Sequence, residues 1–320
     1  MTTGVEVRAP CRLHFGMFGF GHPDEPQYGG VGVMVQPPCV AVKIRPADCF
    51  TVRGPLAERA REFVERIAAY RKLSALPACE LVVESPPSHV GLGVGTQLGL
   101  AVAAGLWRFL HLADVAVEEL AAAVGRGGRS AIGTHGFRHG GLIVDAGKEP
   151  GQELGRLATR MVLPKEWRFV LLYQAGVRGL AGTSEASAFA RLPPVPAEVT
   201  DELWAITREQ MLPAVERQDC RMFGEAVFRF GRLAGECFAA VQGGPFAGAE
   251  VERLVESIRD LGASGVGQSS WGPTVFAITA SDEDARRLVE CVRGQDKGAG
   301  YEITVARANN SGAVIDEIFC

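Results

Sequence analysis

Pro87-Ser88-His89-Val90-Gly91-Leu92-Gly93-Val94-Gly95-Thr96-Gln97 sets three alternating glycines directly before an apolar helical pattern from Leu98 to Leu112. Each glycine removes the Cβ that would hold a ligand off the backbone and permits a positive φ. The helix that follows offers unpaired N–H groups and the positive end of its dipole. The stretch reads as a phosphate cradle, with a tight strand-to-helix connection as the plain alternative. No Gly-Lys-Ser/Thr closes it, so it is not a Walker loop. Ser85, Pro86 and Pro87 separate it from the strand-like run Cys79 to Glu84, and no clear first βαβ unit surrounds it, which argues against a dinucleotide fingerprint.

Upstream, Val5, Val7 and Ala9 alternate with Glu6 and Arg8, and Leu13 and Phe15 flank His14. A loop rich in Gly, Pro, Asp and Tyr runs from Gly16 to Gly30. Strands are predicted at Val31 to Val35 and Val40 to Ile44, parted by Pro37 and Pro38, and a helix at Pro55 to Leu73. Downstream, Asp114 is a candidate cap for a helix at Val117 to Val124. Then comes Gly125-Arg126-Gly127-Gly128-Arg129-Ser130-Ala131-Ile132-Gly133-Thr134-His135-Gly136-Phe137-Arg138-His139-Gly140-Gly141, read as a basic, glycine-rich segment ahead of a strand at Leu142 to Asp145.

The pattern restarts near Pro164 to Trp167, which predicts an amino-terminal domain over 1–163 and a carboxy-terminal domain over 164–320. In the second, a strand at Phe169 to Tyr173 precedes helices near Ser184 to Arg191, after a cap at Thr200, over Cys220 to Val241 and over Glu250 to Asp260. Pro213 is expected to kink or end the second of these. Gly262-Ala263-Ser264-Gly265-Val266-Gly267-Gln268-Ser269-Ser270-Trp271-Gly272-Pro273 reads as a second glycine loop before a strand at Thr274 to Ile278. Ser281 caps a helix to Val292, whose Asp282, Glu283 and Asp284 answer the helix dipole better than a metal. Strands at Tyr301 to Ala306 and Ala313 to Phe319 complete an α+β pattern.

At 320 residues and 47% hydrophobic, the chain has material for two packed cores. A net charge of −4 with scattered arginines argues against nucleic-acid partners, so anion binding must be local. The eight cysteines form no CxxC pair, and no secretory leader is read before them, which predicts a reducing cytoplasm without a zinc site or disulfide framework. Glycines, Gln97, Arg108 and His111 interrupt the most apolar stretch, so no membrane span is expected.

Three segments carry a resemblance. Ala9-Pro10-Cys11-Arg12-Leu13-His14-Phe15-Gly16, Pro87-x-x-x-Gly91-Leu92-Gly93 and Gly265-Val266-Gly267-Gln268-Ser269 are similar, in order and spacing, to the three signature motifs of the GHMP kinase superfamily. The resemblance implies an S5-like amino-terminal domain, a ferredoxin-like carboxy-terminal domain and a cleft closed by the two glycine loops. Phosphorylating members carry Gly-Leu-Gly-Ser-Ser-Ala; here Val94 and Gly95 replace both serines and leave Thr96 as the nearest hydroxyl. His135 stands where many of those kinases place an Asp. Together with Gly-Leu-Gly-x-Gly-Thr-Gln, Arg-Ser-x-Ile-Gly-Thr-x-x-Phe-x-x-Gly-Gly and Arg-Leu-His-Phe-Gly, these departures resemble a non-kinase branch, the β-ribofuranosylaminobenzene 5′-phosphate synthase family of tetrahydromethanopterin biosynthesis.

That branch implies joining phosphoribosyl pyrophosphate (PRPP) to 4-hydroxybenzoate or 4-aminobenzoate, with release of CO₂ and pyrophosphate. Such a site must neutralise pyrophosphate and stabilise an oxocarbenium-like ribose. For that chemistry the candidates for phosphate are Gly91, Leu92, Gly93, Gly95, Thr96, Gln97, Arg12 and Ser130, and those for substrate contacts are Asp24, Arg138, Arg178, Gln268, Ser269 and Trp271. Mg²⁺ is expected on Thr96 and Asp24. His14 and His135 are the candidate groups to share the proton of the para substituent, with Arg129 as a catalytic cation. A homodimer is implied by the family alone. An ATP-dependent small-molecule kinase and a non-catalytic ligand-binding relative remain the alternatives, and no independent PRPP motif is present.

Overall fold

Apolar residues recur at every second position through the amino-terminal stretch and produce one long strand, β1 (Thr3–Met17), whose Val5, Val7, Ala9, Cys11, Leu13 and Phe15 are all buried. The computed structural model describes residues 3–112, 114–179, 187–294 and 300–319. β1 pairs antiparallel with β2 (Gly30–Pro46), setting Val7 opposite Val42 and Leu13 opposite Val33. The expected break at Pro37 and Pro38 does not divide β2. The register jumps from Pro10↔Cys39 to Cys11↔Val35, so the prolines, which cannot donate to a ladder, sit in a bulge and the strand resumes.

β2 is the hub of the sheet. Its first residues pair with β5 (Leu142–Asp145), its middle with β10 (Tyr301–Ala308), and its last with β4 (Cys79–Glu84). β4 carries a short parallel strand, β3 (Thr51–Arg53), and β5 carries β6 (Leu157–Met161); neither outer strand has a sequence signal strong enough to predict it. Beyond β10 follow β7 (Arg168–Gln174), β9 (Val275–Thr279) and β8 (Gly265–Gln268), while β11 (Val314–Phe319) closes the other side of β1.

One sheet of eleven strands therefore spans the described residues, and it crosses the expected boundary at 163/164. The two halves share a sheet because β10 and β11 return from the carboxy-terminal half to pair with β2 and β1. The larger apolar core likewise mixes Val5, Phe63 and Leu98 with Phe169, Phe223 and Phe230. A smaller core of Val170, Leu172, Val255, Val266, Val275 and Leu288 lies behind the second half.

The helices are α1 (Ala57–Tyr70), α2 (Val94–Phe109), α3 (Val117–Val124), α4 (Ile132–His139), α5 (Ala197–Ala205), α6 (Leu212–Glu216), α7 (Cys220–Glu236), α8 (Ala239–Gln242), α9 (Ala249–Asp260) and α10 (Asp282–Arg293). A π-helical segment, Ile206–Met211, joins α5 to α6, so Pro213 falls in the first turn of α6, where its missing N–H is harmless. α2 lies across β1 and β2, and α7 packs on β1 and β8. Among the described residues, no helix is long and apolar enough to cross a membrane.

Several local expectations change. α2 starts four residues before Leu98, which puts Val94, Gly95, Thr96 and Gln97 in its first turn instead of in a loop. Half of the basic glycine segment is the helix α4; its glycines are there for packing, since a Cβ on Gly136 would lie 2.2 Å from Met34 Sδ. Gly265 to Gln268 is the fully buried strand β8, where the glycine admits α7: a Cβ at Gly265 would meet Gly224 Cα at 2.7 Å. Asp114 does not cap α3, which begins at an uncapped Ala116, and Thr200 lies inside α5 with its hydroxyl donating to the Phe18 carbonyl at 3.0 Å. Ser281 does cap α10, accepting from Asp284 N–H at 3.1 Å. Asp282 pairs with Arg168 at 2.9 Å and Glu283 with Arg287, so these acids answer cations and a helix end. Of the helix expected near Ser184 to Arg191, residues 184–186 lie outside the described residues.

Candidate active site at the glycine loops

The two glycine-rich turns interlock. Ser269 Oγ donates to the Gly91 carbonyl at 2.7 Å and accepts the His14 N–H at 3.0 Å. Thr274 Oγ1 donates to the Val90 carbonyl at 2.5 Å. Gly91 has φ +92°, and a Cβ there would lie 2.4 Å from the Ser269 carbonyl oxygen, while one on Gly272 would lie 2.2 Å from Gly91 N. Gly91 is thus required by loop-to-loop packing more than by ligand approach. Leu92 is buried in the core, and its carbonyl accepts the Arg12 N–H at 3.0 Å.

Gly93, at φ +69°, caps α2 and packs on Arg12, whose Cγ would be 2.5 Å from an added Cβ; Arg12 Nη1 in turn donates to the Gly91 carbonyl at 3.2 Å. Only the third glycine opens outward. The nearest atom to a Cβ on Gly95 is Arg126 Nη2, 3.6 Å away. The N–H groups of Thr96 and Gln97 turn back to the Gly93 carbonyl at 3.0 and 3.1 Å, so the first-turn donors left for an anion are those of Val94 and Gly95. Thr96 is half-buried beside them, whereas Gln97 is buried and donates to the Gly133 carbonyl at 2.9 Å. The candidate cradle is therefore the first turn of α2 faced by Arg126, which lies in the basic segment and is not among the residues expected from the sequence.

His14 lies on β1, tied through Ser269 Oγ to the Gly91 turn that precedes α2. It is 3% exposed, and burial together with the Arg12 charge holds its pKa well below the usual imidazole range, so the ring is neutral. Its Nε2 is 3.2 Å from Ser130 Oγ. Ser130 Oγ also accepts the Ile132 N–H at 3.4 Å. Arg129 lies with its guanidinium 5.0 Å from the Phe189 ring centre.

The structure separates the two candidate histidines. His135 is buried on α4, and its Nε2 donates to the Gly155 carbonyl at 2.8 Å, which commits that nitrogen to a fixed partner. Below it, Asp145 is fully buried at the end of β5, its oxygens accepting Ala131 N–H at 2.7 Å and Gly147 N–H at 2.9 Å. Burial raises its pKa. Sequence reasoning passed over Asp145, although a carboxylate closing an otherwise apolar run is a legible anomaly.

Of the other expected contacts, Gln268 is tied to Ser270 O at 2.7 Å and to Ala247 N–H at 2.7 Å, which makes it a brace between strand and turn. Trp271 packs among Phe189 and Phe238, with centroids 5.5 and 5.0 Å away. An apolar cavity runs from Trp271 and Phe238 to His14 and Ser270. Arg178 is exposed on a neighbouring hollow that shares Trp271 with this cavity. Two residues are not brought in. Arg138 is exposed at the far end of α4, in a hollow beside Trp107 and Arg108 at the opposite end of α2, and Asp24 sits in an exposed turn of the Gly16–Gly30 loop.

No cluster of three or more His, Cys, Asp or Glu side chains suited to a metal occurs among the described residues. With Asp24 in an exposed turn and no such cluster among the described residues, these residues do not fit a resident Mg²⁺ site.

Comparison with known proteins follows this geometry. Residues 211–297 match the family model described as GHMP kinases C terminal. A β-ribofuranosylphenol 5′-phosphate synthase of Archaeoglobus fulgidus is 32% identical, over 98% of this chain and 99% of its own. That of Methanothermobacter thermautotrophicus is 30% identical over 98% and 99%. Among solved structures, homoserine kinase from Cytophaga hutchinsonii superposes with a TM-score of 0.66 at 16% identity, over 98% of this chain and 97% of that one. Mevalonate diphosphate decarboxylase from Staphylococcus aureus gives 0.64 at 14%, over 99% and 98%. These structures share the fold.

Proposed function

Because the chain belongs to the β-ribofuranosylphenol 5′-phosphate synthase family, we propose that this enzyme is a decarboxylating phosphoribosyltransferase acting on PRPP and a para-substituted benzoate. The C1–O bond to pyrophosphate breaks, a bond forms between C1 and the ring carbon bearing the carboxylate, and that carboxylate leaves as CO₂. The electron pair it leaves behind restores the aromatic ring, so no base is needed at that carbon.

The observation that carries the reading is the first turn of α2, an opening at Gly95 without the two kinase serines and faced by Arg126, with a neutral His14 tied through Ser269 to the Gly91 turn ahead of it. In this reading Val94 and Gly95 N–H groups with Arg126, Arg12 and Arg129 take up the charge of the departing pyrophosphate. His14, backed by Ser130, shares the proton of the para group and raises ring nucleophilicity, and the apolar cavity beside Phe238 and Trp271 receives the ring. The relatives' product name contains a phenol, which favours 4-hydroxybenzoate over 4-aminobenzoate as acceptor. Mg²⁺ belongs to this reading only as a counter-ion brought in on the donor's pyrophosphate. A cytoplasmic homodimer completes it.

The fold neighbours, a kinase among them, keep an ATP-dependent activity as the second reading. Calorimetric titration with PRPP plus Mg²⁺ and, separately, with ATP plus Mg²⁺ discriminates between the two. Tight PRPP binding with weak ATP binding is expected; ATP binding without affinity for PRPP would overturn the proposal.

A further inference from the structure

α4 begins without a capping side chain of its own, because Ala131 at its N-cap has none to offer. The acceptor comes instead from the end of β5, where Asp145 Oδ2 takes the Ala131 N–H at 2.7 Å and Oδ1 takes the Gly147 N–H at 2.9 Å. The Gly155 backbone closes over this carboxylate so tightly that a Cβ there would be 2.3 Å from Oδ1. Ser130, the residue joined to Ala131, holds the His14 imidazole at 3.2 Å. We propose that Asp145 is a positioning residue for the active site, fixing the Ser130–Ala131 turn so that the Ser130 hydroxyl meets His14 Nε2.

Both carboxylate oxygens are on backbone N–H groups, so Asp145 does not complete a Ser-His-Asp relay through the imidazole. It acts one residue removed, by setting where Ser130 stands. The neighbouring titratable side chain on α4 is His135, whose Nε2 is committed to Gly155. A buried carboxylate is costly unless it is hydrogen-bonded; here the Ala131 bond serves the turn that carries Ser130, and the Gly147 bond holds the carboxylate in place. A hydroxyl displaced by about 1 Å from a reacting group can cost on the order of 100-fold in rate, which gives the turn its leverage.

The test compares Asp145→Asn, Ser130→Ala and the double variant in the full-length protein, with two readouts. The first is the ¹⁵N spectrum of the His14 ring, assigned with His14→Asn. Removal of Ser130 and removal of the Asp145 carboxylate should shift the ring nitrogens in the same direction, and the double variant should match Ser130→Ala. The second is kcat for CO₂ release. Each single variant should fall by roughly 10- to 100-fold with a smaller change in donor KM, and the double variant should fall no further than the worse single one.

Where Asp145→Asn does not fold, Asp145→Ser, which keeps one acceptor for the Ala131 N–H, supplies the same comparison with a smaller shift expected. A wild-type His14 spectrum in the Asp145 variant, or losses that multiply in the double variant, would overturn the proposal. The kinetic readout rests on the transferase reading, whereas the His14 spectrum does not. Absence of CO₂ release from the wild type would therefore defeat that reading and leave the positioning test standing.

Discussion

His14 and His135 look equivalent in the sequence, each a histidine inside a matched motif, and their surroundings make them different. His14 is buried, neutral and turned toward Ser130, with its N–H on Ser269, while His135 is a donor to Gly155 within the amino-terminal half. We expect His14→Asn to lower kcat by about 10²- to 10⁴-fold, the range for a lost acid–base group. His135→Gln should stay within roughly 10-fold of wild type by the same measure and act mainly on thermal stability. Steady-state kinetics with circular dichroism melts of both variants read the two effects apart.

The pKa of His14 also fixes a stability trend. Its folded value lies below the unfolded value near 6.5, so the unfolded chain binds more protons as the pH drops under that point. The stabilising contribution is complete above about pH 6.5 and is lost as the pH falls toward the folded value. His139 is shifted the same way by burial, then His135 and Arg138. Asp145, raised by burial, works in the opposite sense, and only as the pH passes down through its own folded pKa. Melting scans should show Tm falling below pH 6.5, with a shallower slope in His14→Asn. An unchanged slope in that variant would count against a neutral buried imidazole.

At the scale of elements, the glycine loop is legible in the sequence as a turn into a helix, but not which glycine does what. Gly91 is consumed by the contact with Ser269 and Gly272, Gly93 by Arg12, and Gly95 alone faces an opening. The start of α2 was misplaced because Gly95 and Thr96 are weak helix formers, and tertiary contacts through Val94 and Gln97 outweighed that propensity. The same blind spot hid α4, whose Gly133 and Gly136 look like loop residues until Gln97 and Met34 are set against them.

A paired experiment follows at this scale. Gly91→Ala forces a positive φ and a clash, so about 1–3 kcal/mol or more of stability should be lost. Gly95→Ala meets only Arg126 at an ordinary distance and should gain about 0.5–1 kcal/mol in a helix, yet raise the donor KM by narrowing the opening. Chemical denaturation and donor-dependence curves would measure both. A stable Gly91→Ala protein, or an unchanged KM in Gly95→Ala, would contradict this division of labour.

Across the whole molecule, the alternating strands and the α+β class were readable from periodicity, and the order of the strands was not. Nothing local in Tyr301 to Ala308 or Val314 to Phe319 says that these strands return to β2 and β1. Long-range pairing of that kind is decided by the assembled sheet, which is why a boundary at 163/164 looked natural in the sequence. A chain ending at Ala313 would leave β1 as an unpaired edge, and it should self-associate in size-exclusion chromatography. A monodisperse truncated protein with the full-length Tm would show that β11 is dispensable.

The site depends on that closure, because β1 carries His14 and Arg12 into contact with turns from both halves of the chain. In the proposed reaction this assembled site couples ribosyl transfer to decarboxylation without ATP. The most direct measurement incubates the enzyme with PRPP, Mg²⁺ and carboxyl-labelled 4-hydroxybenzoate, or its 4-amino analogue, and follows labelled CO₂, pyrophosphate and any ATP consumed. Equal amounts of CO₂ and pyrophosphate, with no need for ATP, are expected. Absence of labelled CO₂, with ATP turned over on a hydroxylated acceptor, would contradict it.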